Sequence, residues 1–198
     1  MKFLWILIFF AVLLWSGVNP KDQFTWTLEV LPAIIGLIVL AFTYKTFKLT
    51  TFVYILILVH SIILMIGGHY TYAEVPLFDT IKELLGQTRN DYDKIGHLAQ
   101  GFIPALITRE ILIRKNIIPQ TNWRNFFIVC FCLALSALYE IIEWIVALFT
   151  GEDAEAFLGT QGYAWDTQSD MGLALVGSIL ALIILSNYHD KQLKKFID

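Results

Sequence analysis

The stretch "NFFIVCFCLALSALYEIIEWIVALFT", Asn125 to Thr150, holds no lysine, arginine or aspartate and only two acids, Glu140 and Glu143. It reads as a helix that crosses a membrane, since spanning a hydrocarbon core takes about 20 mainly apolar residues. Five further runs come near that length, so the spans are expected near 3–18, 27–44, 49–67, 95–113, 125–150 and 170–186. Short connections separate them. The expected fold is therefore all-α, a polytopic membrane helix bundle of about six transmembrane helices in a single integral-membrane domain, 1–198.

Composition agrees. The 198 residues are 57% hydrophobic and 16% charged, and the mean hydropathy is +0.65, too apolar for a soluble domain of this size. A net charge of −3 without a basic cluster argues against a nucleic-acid partner. Lys2 followed by an apolar run has the outline of a signal peptide, but "WSGVNP" offers no small-x-small cleavage site, and a retained first helix is expected. Cys130 and Cys132 lie two apart, point to different sides of one helix and are read as packing residues.

Lysine and arginine usage sets the expected orientation. With the N-terminus inside, Lys2, Lys45, Lys48, Arg109, Arg114, Lys115, Arg124, Lys191, Lys194 and Lys195 fall inside, against Lys21, Lys82, Arg89 and Lys94 outside. The positive-inside rule then puts both termini in the cytoplasm. In that topology Asp93, Lys94 and His97 open the fourth span at the outer face, Glu140 and Glu143 fall in the outer half of the fifth, and Asp166 and Asp170 stand at the mouth of the sixth. His69 and Glu74 reach the same side as accessory candidates. Between them "VPLFDTIKELLGQ" places Leu77, Phe78, Ile81, Leu84 and Leu85 on a helical period, which predicts an amphipathic helix in the outer interface.

Residues three or four apart share a helix face. The fourth span presents Asp93, His97, Gly101 and Ala105, the fifth Ser136, Glu140 and Glu143, and the sixth Asp166, Asp170, Ala174, Gly177 and Ala181. Beneath their polar tops two of these stripes turn to glycine and alanine, which lets membrane helices approach closely. Five carboxylates against Lys94 leave negative charge that a membrane interior does not tolerate unbalanced. A divalent ion (Mg, Mn, Zn or Fe) held by Asp93, His97, Glu140, Glu143, Asp166 and Asp170 is one remedy. Protons or sodium, as in a coupled transporter, are a second, and a hydrogen-bonded structural knot is a third. The leading expectation is metal-assisted chemistry or binding on an envelope or lipid-linked substrate, with the same acids and His97 as ligands or general base and Lys94 holding an anionic group. Below Glu140 the fifth span offers little but Ser136 as a polar step, which favours a one-sided site over a transport path. Arg109 and Glu110 are expected to snorkel or pair near the inner end.

"GGHYTYAEVP", "NDYDKIGHLAQGFIPAL", "ALYEIIEW" and "FLGTQGYAWDTQSDM", in this order, closely resemble the YjdF-like family of bacterial inner-membrane proteins. A more distant similarity is to VanZ-like membrane proteins, linked to glycopeptide resistance, which share an Asp-Lys-x-x-His start, a later Glu and spaced aspartates. Here Asp93, Lys94 and His97 match the start, Glu140 or Glu143 the acid, and Asp166 and Asp170 the last part. Glu143 departs from that pattern, and the Asn after the Asp pair is missing. Neither resemblance implies a defined reaction.

Overall fold

Two of the helices begin where a side chain satisfies an amide that the first turn leaves free. Asp22 accepts from Thr25 N at 2.6 Å, and Thr50 Oγ1 accepts from Val53 N at 3.3 Å. The computed structural model describes residues 2–150 and 163–197. Among them the chain forms seven helices: α1 (Lys2–Gly17), α2 (Gln23–Thr43), α3 (Thr51–His69), α4 (Pro76–Leu85), α5 (Tyr92–Arg114), α6 (Thr121–Thr150) and α7 (Asp166–Ile197). The connection between α6 and α7 that carries Gly159 lies outside the described residues.

Four helices, α2, α3, α6 and α7, are long and apolar enough to cross a membrane. Their outer faces carry Ile35, Val39, Phe42, Phe131, Ile183 and Ile184, all exposed. So much uncovered apolar surface calls for lipid, and the molecule is a polytopic helical membrane protein. Helix α1 is shorter. Helix α5 carries charges at both ends yet sits innermost, against α3, α6 and α7.

The α5–α7 contact is the most extensive, and its cause is glycine. A β-carbon on Gly101 would overlap the Ala174 carbonyl, and one on Gly177 would overlap the Leu98 carbonyl. The two backbones therefore touch, running parallel, with Ala105, Ala174 and Ala181 fully buried nearby. Below this crossing Val53, Leu106, Ile128 and Cys132 close the core, while Cys130 faces outward.

The helices define two ends. At the upper end α5 and α7 begin and α6 finishes; at the lower end α5 and α7 finish, near Lys2 and Thr50. Helix α4 caps the upper end, starting at Pro76 and stopping at Gly86, whose φ of 63° is left-handed. It leaves Leu77, Leu84 and Leu85 exposed. Asn90 ties it to α5, donating to Val75 O and Asp79 Oδ1 at 3.0 Å each.

At the lower end Arg109 and Glu110 take the second of the two expected courses and pair. Glu110 is fully buried and accepts from Thr50 N, Thr50 Oγ1 and Arg114 Nη1 at 2.8 Å each, with His189 Nε2 at 3.1 Å. Arg109 donates to Asp190 Oδ1 at 2.7 Å. Burial is possible because α7 continues past Ser186, where the apolar run stops, to Ile197. Its inward side stays packed through His189 and Leu193 while its polar side faces out.

Candidate functional site

Asp93 and His97 lie one turn apart near the start of α5, and Asp166 and Asp170 hold the same relation on α7. Because Gly101 and Gly177 bring the two backbones together just below, these pairs face each other. His97 Nε2 is 3.3 Å from Asp93 Oδ1 and 3.8 Å from Asp170 Oδ2. On the other side of the ring, Nδ1 lies 3.2 Å from Gln100 Oε1 and 3.8 Å from Glu140 Oε1, which α6 supplies. Glu143 follows one turn on. Two sets of three potential ligands result, Asp93–His97–Asp170 and His97–Glu140–Glu143, each with ligand atoms within 4.8 Å of one another. His97, Glu140 and Asp170 are buried.

Charge is distributed differently from the expectation. Lys94 pairs with Asp91 at 2.8 Å and stays on the rim, outside both triads. The cation at the centre is Arg89, which precedes α5. It binds Asp166 Oδ1 at 2.9 Å and approaches Asp93 Oδ2 at 3.9 Å and Asp91 Oδ1 at 3.8 Å. Asp166 is thereby committed to an arginine, while Asp93 and Asp170 converge on His97. Glu140 Oε1 and Ser136 Oγ are buried without a hydrogen-bond partner, a state that costs about 1–3 kcal/mol per group unless something else binds there.

Glu29, from the α2 stretch "TLEVL", also belongs to this neighbourhood. It is buried, and Tyr139 donates its hydroxyl to Glu29 Oε2 at 3.1 Å. A cleft of about 190 Å³ runs from Asp93 and His97 past Glu29, Tyr139 and Glu143 toward His60. Of Arg89 and Glu29, only Glu29 was legible in the sequence. A lone acid inside an apolar run was a signal for Glu29, whereas a loop arginine carries none.

His69 and Glu74 are engaged elsewhere. His69 Nδ1 meets Ser16 O at 2.9 Å and its ring packs on Trp15, 4.7 Å between centroids. Glu74 pairs with Lys21 at 2.7 Å, and its hydrogen bond raises the lysine above its ordinary pKa.

Among known proteins, the chain is 47% identical over 185 residues to the inner membrane protein YjdF of Escherichia coli strain K12, covering 93% of this chain and 88% of that protein. No solved structure matches it. A family model described as predicted membrane protein DUF2238 matches residues 1–191, and the chain belongs to that family.

Proposed function

We propose that this multi-pass inner-membrane protein holds a divalent metal ion between α5, α6 and α7 and uses it to bind or transform an envelope or lipid-linked substrate at the outer face. The observation that carries the reading is His97, which is shared by two ligand triads, one with Asp93 and Asp170 and one with Glu140 and Glu143, drawn from three helices. Carboxylate oxygens with one imidazole suit Mg, Mn, Zn or Fe. In this assignment Asp93, His97 Nε2 and Asp170 are the primary ligands. Nδ1 then donates its proton to Gln100 Oε1, fixing the ring as metal-bound histidines require. Glu140 and Glu143, which face the Nδ1 side of the ring, act as general base, and the ion would supply Lewis-acid polarisation of a bound oxygen. Asp166 holds Arg89 in place, and Arg89 with rim Lys94 faces an anionic group of the substrate.

The site's outer position rests on six spans, α1, α2, α3, α5, α6 and α7, with both termini cytoplasmic; α4 lies in the outer interface. A second reading, a proton- or sodium-coupled transporter, draws support from the cleft that links His97 to Glu29, Glu143 and His60. A third, a structural subunit, draws on the Arg89 pairs.

Elemental analysis of purified variants separates them. His97→Ala and Asp170→Asn should each lose most of the bound ion, and Glu83→Gln, exposed on α4, should keep it. Unchanged ion content in both site variants would overturn the metal reading.

A further inference from the structure

A second cavity, of about 460 Å³, opens at the lower end among α1, α2 and α3, far along the bundle from His97. Its size falls within the range of about 300–1,000 Å³ typical of small-molecule sites. Trp5, Leu37, Leu40 and Ile55 give it an apolar floor. The floor is fixed in place, because Trp5 Nε1 donates to Tyr54 O at 2.7 Å and so pins α1 to α3.

The rim has the opposite character. Lys2, Lys45 and Lys48 converge there around Tyr44, with Lys2 Nζ 4.2 Å and Lys48 Nζ 5.7 Å from the ring centroid. At the other end of the molecule Lys21, Lys82 and Lys94 each pair with a carboxylate. Among the described residues, none forms an ion pair with Lys2, Lys45 or Lys48. Three ammonium groups gathered on one rim repel each other, and the aromatic face of Tyr44 offsets this only weakly.

Lysines over an apolar slot, on helices whose outer sides meet hydrocarbon, fit a ligand with an anionic head and a hydrocarbon tail. We propose that this cavity is a binding site for an anionic phospholipid of the surrounding leaflet. The lysines hold the headgroup, and an acyl chain enters between Trp5, Leu37 and Ile55. A zwitterionic lipid lacks the net charge to neutralise the rim, and free phosphate lacks the tail that fills the floor.

The full-length protein is reconstituted in nanodiscs of phosphatidylethanolamine and phosphatidylglycerol, extracted into detergent, and its retained lipid read by native mass spectrometry on the folded species. Wild type should retain phosphatidylglycerol over phosphatidylethanolamine. Each lysine near a charged lipid surface is worth roughly fivefold, so combined Lys2→Gln, Lys45→Gln and Lys48→Gln should lower that preference on the order of a hundredfold. The combined Lys191→Gln, Lys194→Gln and Lys195→Gln variant, exposed charges beyond the cavity, should leave it unchanged. Ile55→Trp, which fills the floor, should lower retention of the lipid with the lysines intact. Equal retention of both lipids by wild type, an equal loss in the α7 lysine variant, or displacement of the lipid by inorganic phosphate alone would each overturn the proposal.

Discussion

His97 is surrounded on both ring nitrogens, and that arrangement makes specific demands. Nε2 lies toward Asp93 and Asp170 and Nδ1 toward Gln100, so in the proposed assignment the ring keeps its proton on Nδ1 and offers Nε2 to the ion. Gln100→Ala removes the acceptor that orients the ring, and metal affinity should fall about 10- to 100-fold, measured by competition with a chelating dye. Glu110 makes a different demand. It is buried among Thr50, Arg114 and His189, so Glu110→Ala leaves those groups without their counter-charge and should cost about 3–5 kcal/mol, read as a lower Tm in detergent. The surviving folded fraction should keep its ion, because Glu110 lies at the far end of α5. Helical spacing in the sequence picked out Asp93, His97, Glu140, Glu143 and Asp170, which lie near one another in the structure, whereas Asp166, also expected as a ligand, meets Arg89. The sequence reading missed Arg89, whose place depends on how a loop folds back onto Asp166; His69 and Glu74, expected as accessory residues, share that end of the molecule and meet Ser16 and Lys21.

Among the elements, the α5–α7 pair carries the site. Asp93 and His97 meet Asp170 only because Gly101 and Gly177 allow backbone contact a turn or two below. Gly177→Leu puts a branched side chain where the Leu98 carbonyl lies, and it should abolish the monodisperse folded species on size exclusion. Ile184→Leu, on the exposed side of α7, should leave that species intact; equal tolerance of both would contradict the contact. Spacing alone revealed this seam, because small residues at intervals of three and four sit below acids on two separate runs. Helix ends were less legible. Apolar runs mark where hydrocarbon would lie, but α7 goes on to Ile197 and α5 begins at Tyr92, since helices continue into polar surroundings when one face still has something to pack against. The buried His189–Glu110 contact depends on that continuation and was hidden for the same reason.

At the scale of the whole molecule, charge is divided between the ends: below lie Lys2, Lys45 and Lys48, without an ion pair among the described residues, and the buried Glu110 network; above lies the acid–histidine centre with its arginine. In the orientation we propose from the positive-inside rule, the lower end lies in the cytoplasm. A reporter fused at the C-terminus should therefore signal cytoplasm, and one inserted at Gly159 should signal periplasm; the reverse pattern would turn the site inward and end the envelope-substrate reading. The central claim is the ion itself, and the most direct measurement is the metal content of the gently purified wild-type protein as a function of pH, in buffers supplied with Mg, Mn, Zn and Fe. Protons compete for carboxylate and imidazole ligands, so about one divalent ion per chain is expected at neutral pH, falling as the pH is lowered. A protein that emerges free of metal at neutral pH, folded and monodisperse, would contradict the account.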